Sequence, residues 1–379
     1  MNDLHRHLDE LRTALRSRNP RERQSAIRRI ADYFVVGSHR FTESQITLFD
    51  EVFLRLMSEI ETKALAKLAE RLAPLPDAPP RTMRSLAFND AIEVAAPVLA
   101  ASPRLSAADL VANAETQSQA HLLAISQRAE LCEAVTDVLV DRGDRRVVRA
   151  VAGNEGARFS DRTFGKLVAR ARGDDILART VGTRRDVPRQ HFLRLLASAS
   201  AAVRERLEAA IPEAGTLITE AVVEITDDIS RASREASREH RRVKKDMKFC
   251  YRLDQSSEAR VHAPAAAGDF EKTVVTLSMH GRFPVELVER ALIDEGADMI
   301  LILAKAAGLA RATVRALLFM NAGQRGLPEE DLERGLESYQ RLSVRTARRI
   351  LAFYNKRRRK ETRGRSVVAP AAATERIAV

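Results

Sequence analysis

Apolar residues recur at helical spacing along almost the whole chain, and that regularity excludes most folds. Between Arg21 and Val36, the residues Ala26, Ile27, Ile30 and Phe34 share one face of a 3.6-residue helix. Between Ser44 and Ile60 the stripe is Ile46, Phe49, Phe53, Leu56 and Ile60, and Leu65, Leu68, Ala69 and Leu72 follow. No run of four or more residues alternates apolar and polar with turn signals at both ends, so no strand is expected. Composition points the same way: aromatics are 4% and Trp is absent, whereas sandwiches and barrels lean on aromatic and β-branched residues. With 45% hydrophobic and 30% charged residues, the chain reads as folded rather than disordered.

Pro and Gly punctuate the pattern at short intervals: Pro20, Pro74 to Pro80, Pro103, Gly143, Gly156, Gly173, Pro188 and Pro212. The helices between them are short, which predicts stacked helical hairpins. A weak internal similarity supports this. Asp90–Val94 and Asp144–Val148 lie 54 residues apart, and at the same offset Arg104-Leu105-Ser106 matches Arg158-Phe159-Ser160 and Leu110 matches Phe164. Each Ser precedes an apolar run that it is placed to cap, with Asp109 completing a capping box in the first copy. The block divides into two helical pairs of about 27 residues, shorter than a usual HEAT repeat.

Several segments resemble a known family. Arg71–Pro74, Ile92–Leu99, Ala124–Arg128, Val135–Leu139, Arg185–Pro188, Lys305–Leu309 and Ala347–Phe353 are similar to an uncharacterised, mainly alphaproteobacterial family of unknown function. The resemblance spans roughly residues 40–358. It implies a helical fold with HEAT-like repeats and carries over no activity, cofactor or functional residue.

Residues 216–251 differ from the rest. Ile218, Val222, Ile225, Ile229, Ala232 and Ala236 are spaced 4, 3, 4, 3, 4, a heptad seam that weakens where Glu239 takes the next position. The expectation is one continuous helix with a buried seam. It fits a buttress on the repeat array better than a homodimer coiled coil, because the seam narrows to Ala after three heptads. The expected organisation is a HEAT-like helical repeat domain over 1–212, the long amphipathic helix over 213–251, a linker over 252–268, a C-terminal helical domain over 269–360 and a disordered basic tail over 361–379.

Charge is concentrated at one end. The net charge is +11, and residues 341–365 hold eleven Lys/Arg against the single acid Glu361, which leaves residues 1–340 with a net of +1. A basic end suits nucleic acid, an acidic protein face or anionic lipid, or serves as a solubilising tail. Cys132 and Cys250 cannot make a disulfide framework and read as buried thiols. The first residues lack the apolar core of a signal peptide, and the most apolar stretch, Met299–Ala304, is too short to cross a membrane. A cytoplasmic location is the expectation.

No catalytic constellation stands out. The eight His residues form no H-E-x-x-H, neither Cys lies in C-x-x-C, and G-x-G-x-x-G, P-loop and G-x-S-x-G patterns are absent. No enzyme activity, cofactor or metal is expected. One segment has a sharper alternative. Leu303–Leu318 is similar to the helix-turn-helix of bacterial repressors, with Ala307-Gly308-Leu309 as the turn. Val314, Leu317 and Leu318 would face the core, with Arg311, Ala312 and Arg315 outward. Hairpins joined by Gly are ubiquitous in repeat proteins, and the apolar helix before the turn suits a buried repeat helix better. Near the C-terminus, Phe353 and Tyr354 are expected to close the last helix over the core. The run Lys356, Arg357, Arg358, Arg359 and Lys360 is then free to meet phosphate. The combined expectation is an all-α solenoid of stacked HEAT-like hairpins that binds a macromolecule, with a protein on the repeat surface ahead of nucleic acid. The alternative is a nucleic-acid-binding regulator that uses the 304–318 hairpin and the basic end.

Overall fold

A short amphipathic helix hides its apolar stripe only by packing on neighbours, and the structure does this in two separate places. The computed structural model describes residues 20–57, 60–211, 214–253, 258–294, 296–322 and 328–365. Among them the regular elements are helices, and the only bridge is an isolated parallel one between Leu131 and Ala157. The chain divides into two units, Met1–Pro188 and Arg189–Val379.

The first unit contains α1 (Pro20–Gly37), α2 (Glu43–Met57), α3 (Thr62–Leu72), α4 (Pro80–Ala87), α5 (Ile92–Ala101), α6 (Ala107–Thr116), α7 (Gln119–Ser126), α8 (Glu133–Arg142), α9 (Arg145–Gly153), α10 (Asp161–Arg170) and α11 (Asp175–Gly182). Alternate helices pack together: α3, α5, α7, α9 and α11 form one row, and α6, α8 and α10 lie in another. The successive starts at 92, 119, 145 and 175 match the pair length expected from sequence.

The caps follow the sequence in part. Ser106 and Asp109 form the expected capping box at α6, and Ser160 accepts from Thr163 N at α10. Asp144 caps α9, but its sequence counterpart Asp90 caps nothing, since Ala91 holds that position before α5. The helix α4 begins after Pro79, which has no side-chain acceptor. Asp50 supplies one from α2: its carboxylate accepts from Thr82 N at 2.6 Å and Arg81 N at 2.9 Å.

Long polar side chains tie each helical pair to the one before it. Arg128 donates to the carbonyls of Leu99 and Ser102, each at 2.8 Å. Asn154 donates to Ser126 and Arg128, and Arg184 to Ala152, Asn154 and Ala157. Arg142 and Arg170 reach the carbonyls of Ala114 and Gly143. Many of these acceptors sit at or just past helix C-termini, where carbonyls lack an intrahelical partner and the dipole favours a cation. Gly156 permits a close approach between pairs, because a Cβ there would sit 1.8 Å from the Ala129 carbonyl oxygen. The bridge follows directly, with Leu131 N donating to Gly156 O and Arg158 N to Leu131 O.

The second unit contains α12 (Arg189–Ala210), α13 (Gly215–Ala236), α14 (Arg238–Leu253), α15 (Ala259–Ala266), α16 (Phe270–Gly281), α17 (Val285–Ile293), α18 (Asp298–Ala307), α19 (Arg311–Ala322), α20 (Glu329–Arg341) and α21 (Val344–Arg365). Its core gathers Leu193, Val261, Val274, Leu277, Val288, Ile300, Leu303, Val314 and Leu317 around α18.

The structure corrects several expected boundaries. The first unit ends at Pro188 rather than 212, because Leu193 and Leu195 on α12 are buried and Arg189 pairs with Glu271 and Glu289 of the second unit. The 213–251 helix is two helices. Ser237 takes an extended conformation and its hydroxyl accepts from His240 N, so one residue ends α13 and caps α14. The expected buried seam is absent, since α13 has no buried residue and Ile225 is 60% exposed. Within the expected linker 252–268, residues 259–266 form α15, with Val261 and Ala265 buried. Tertiary burial there outweighs the small-residue composition. Cys132 is exposed at the start of α8; the side chain of Cys250 lies outside the described residues. The last helix continues to Arg365, five residues into the expected tail, and 366–379 lie outside the described residues.

Candidate interaction surfaces

The segment weighed as an ordinary repeat hairpin or a helix-turn-helix forms two helices, α18 and α19, joined at a glycine turn. Gly308 ends α18 in the left-handed region at φ 74°, which a side chain would strain. Leu309 N then closes on Ala304 O at 3.0 Å. Val314, Leu317 and Leu318 are buried, while Arg311, Ala312 and Arg315 are exposed. The turn is pinned from α20. The Tyr339 hydroxyl donates to Leu309 O, and Lys305 lies over the Tyr339 ring and donates to Tyr339 O. Burial, with the Glu258 charge nearby, pushes the Tyr339 phenol up.

The start of α19 is already occupied by acid. Glu258 accepts from Ala310 N at 2.8 Å and from the Thr313 hydroxyl. Arg311 pairs with Glu333 at 3.0 Å. Arg315 rests over the Phe319 ring, 5.5 Å from its centre. Both line up on one face of α19, and Arg315 borders an open hollow of about 500 Å³ with Ala265, Gly268, Ala312 and Phe319. Lys356, Arg357, Arg358, Arg359 and Lys360 follow on α21, and their side chains lie outside the described residues. Of the two aromatics before them, Tyr354 packs on the core and accepts from Arg290 at 3.0 Å. Phe353 is 71% exposed, contrary to expectation, because successive residues on a helix point about 100° apart.

Sequence reasoning missed a buried charge network that joins α12, α13, α14, α16 and α17. Arg189 donates to Glu271 at 2.9 Å and to Glu289 at 2.5 Å. Arg234 reaches Glu289 at 3.0 Å and Glu286 at 2.6 Å, and His240 Nδ1 lies 2.7 Å from Glu271. Burial pushes the Glu271 carboxyl up, but the His240 hydrogen bond and the Arg189 guanidinium outweigh it and hold the group low. Burial likewise pushes Arg234 down, and Glu289 and Glu286 outweigh it upward. Burying such charges costs desolvation that the pairing offsets, and removing one partner leaves the others uncompensated. The six residues come from segments up to 100 residues apart, so no local spacing announces them.

In the first unit, Asp174 caps α11 through Leu177 N and binds Arg149 with both oxygens. The Arg149 hydrogen bonds hold its carboxyl low against the upward push of burial. A groove of about 540 Å³ runs along the ends of α9 and α11, bordered by Gly153, Glu155, Thr180, Thr183 and Arg185. Among the described residues no group of three or more His, Cys, Asp or Glu could hold a metal ion, and no helix is long and apolar enough to cross a membrane.

These features define an all-helical protein whose first unit stacks alternate helices in rows and whose second unit surrounds α18. The chain belongs to a family described as an uncharacterised protein conserved in bacteria (DUF2336), whose profile matches residues 94–352. The match starts in α5 and ends in α21. No curated protein and no solved structure matches the chain.

Proposed function

We propose that the chain is a non-catalytic, HEAT-like α-solenoid scaffold whose first unit captures a protein partner in the bacterial cytoplasm. The observation that carries this reading is the set of reach-back side chains. Arg128, Arg142, Asn154, Arg170 and Arg184 all bind carbonyls of a preceding helical pair. Buried polar chemistry in this unit is thus committed to joining repeats, the arrangement that gives repeat proteins a stiff, extended binding face. The groove beside Thr180 and the exposed Ile176 mark the surface most suited to a partner side chain.

The test is cross-linking in cells followed by recapture with surface variants. Ile176→Glu and Thr180→Arg should abolish recovery of the partner without changing the helical circular dichroism. Truncation after Phe353 should leave it intact. Recovery that depends on the basic end and ignores both variants refutes the reading.

The nucleic-acid reading draws on the outward Arg311 and Arg315 of α19. Glu258 and Glu333 weigh against it, since a phosphate approaching that helix end meets two carboxylates where a free N-terminus would attract it.

A further inference from the structure

Several cations on the water-facing sides of helices in the second unit have an acid one turn away. Arg204 has Glu208, Arg231 has Asp228, Arg334 has Asp331 and Arg341 has Glu337, at the spacing where opposite charges on a helix meet. The helix α14 departs from this. Arg238, Arg241, Lys244 and Lys245 are exposed, and α14 offers no acid three or four residues from any of them. Arg241 stands instead three or four residues from Arg238, Lys244 and Lys245, which sets like charges side by side and destabilises a helix on its own. None of the four has a carboxylate partner among the described residues; Arg241 reaches only the Ser237 carbonyl, at 3.4 Å. The acids of α14, Glu239 and Asp246, lie to one side of this stripe with Arg242, which is 3.9 Å from Asp246.

The other face of α14 holds the stripe in place. His240 and Val243 are buried there, His240 Nδ1 lies 2.7 Å from Glu271, and the helix packs on α16. The cations therefore point away from α16 in a fixed register.

We propose that this stripe binds the phosphodiester backbone of a nucleic acid without reading its bases. The site is separate from the start of α19, where Glu258 and Glu333 oppose phosphate. Three features select this partner. A phosphodiester strand presents one sign of charge without interruption, as the stripe does, whereas a protein face mixes charges with apolar groups. A helix lying on a membrane sinks an apolar face into the lipid, and the apolar residue among 238–246, Val243, is buried in its own chain. Arg238 to Lys245 spans about 10 Å, close to the rise of about three nucleotides of one strand, and the Arg forks match phosphate oxygens. The described outward residues of α14 include no aromatic on which a base could stack, so the contacts carry no sequence information.

Binding of a short random-sequence duplex DNA to the full chain, followed against salt, tests this. Replacing Arg238, Arg241, Lys244 and Lys245 together by Gln should lower the slope of log K against log salt by about three to four units, and each single replacement by about 0.9. All four side chains are exposed, so circular dichroism should not change; if the fourfold variant loses helicity, the single variants carry the measurement. Arg238→Lys with Arg241→Lys keeps the charge and should keep the slope. Replacing Arg81, Arg104, Arg146 and Arg162 by Gln removes the same charge from exposed positions of the first unit and should leave the slope nearly unchanged. A wild-type chain that does not bind DNA overturns the proposal, as does an unchanged slope in the α14 variants or an equal loss in the first-unit control. A fourfold variant that keeps its DNA binding but loses binding to phosphatidylserine vesicles also overturns it, and makes the anionic partner a membrane.

Discussion

Replacing Glu271 by Gln keeps the shape of the side chain and removes its charge from the centre of the network. The carboxylate is almost fully buried and accepts from Arg189 at 2.9 Å and His240 at 2.7 Å. Each charge-assisted bond contributes about 1.5–3 kcal/mol net. Arg189 retains Glu289, so the loss is smaller than that for an orphaned cation, and the expected destabilisation is about 3 kcal/mol. The chain lacks Trp and has two units, so a bulk melt would blur the effect; hydrogen exchange resolves it. Amides of α16 should exchange on the order of a hundredfold faster, with exchange over α5–α11 unchanged. The pH dependence has a definite sign. Glu271 titrates below its ordinary 4.5 when folded, so its contribution is present above that value and fades as pH falls through the lower, folded one. The gap between wild type and Glu271→Gln should close on that acid side. A change under about 0.5 kcal/mol at neutral pH, or a gap that widens with acid, refutes the reasoning.

Three further outcomes are expected. Gly156→Ala forces the Ala129 carbonyl away and should cost about 2 kcal/mol, read as faster hydrogen exchange in α7–α10 with α16 unchanged; unchanged exchange there would show that the loop yields freely. Asp174→Asn keeps a cap for α11 but loses the charge facing Arg149, which is about a third exposed, so about 1–2 kcal/mol is expected at pH 7. Because the Asp174 carboxyl is held below 3.8, that difference should vanish as pH falls through its folded value. Replacing Lys356, Arg357, Arg358, Arg359 and Lys360 by Ala should flatten the salt dependence of DNA binding by up to about four units if all five meet phosphate. In the scaffold reading that binding is weak and sequence-blind, and Arg311→Ala with Arg315→Ala leaves it alone. A sequence-specific footprint lost with those two changes would establish DNA reading instead.

What the chain determined by itself is everything carried by neighbours in sequence. The 3.6-residue stripes gave helices, Ser106 with Asp109 gave a capping box, and the stripe around Gly308 put Val314, Leu317 and Leu318 inward and Arg311 and Arg315 outward. Each of these depends on residues within about one or two turns, and the helix propagates that local information. The tertiary structure decided the rest. Asp50 caps a helix 31 residues away, Glu258 occupies the start of α19 from 52 residues away, and Glu271 meets Arg189 across 82. Ser237 broke a helix that its heptad seam extended, because its hydroxyl caps α14 and His240 then turns in to Glu271. The same seam, read as buried from its spacing, was left facing water by its own chain. Periodicity specifies that a helix has an apolar face; which surface covers that face depends on long-range packing, which leaves no period in the sequence.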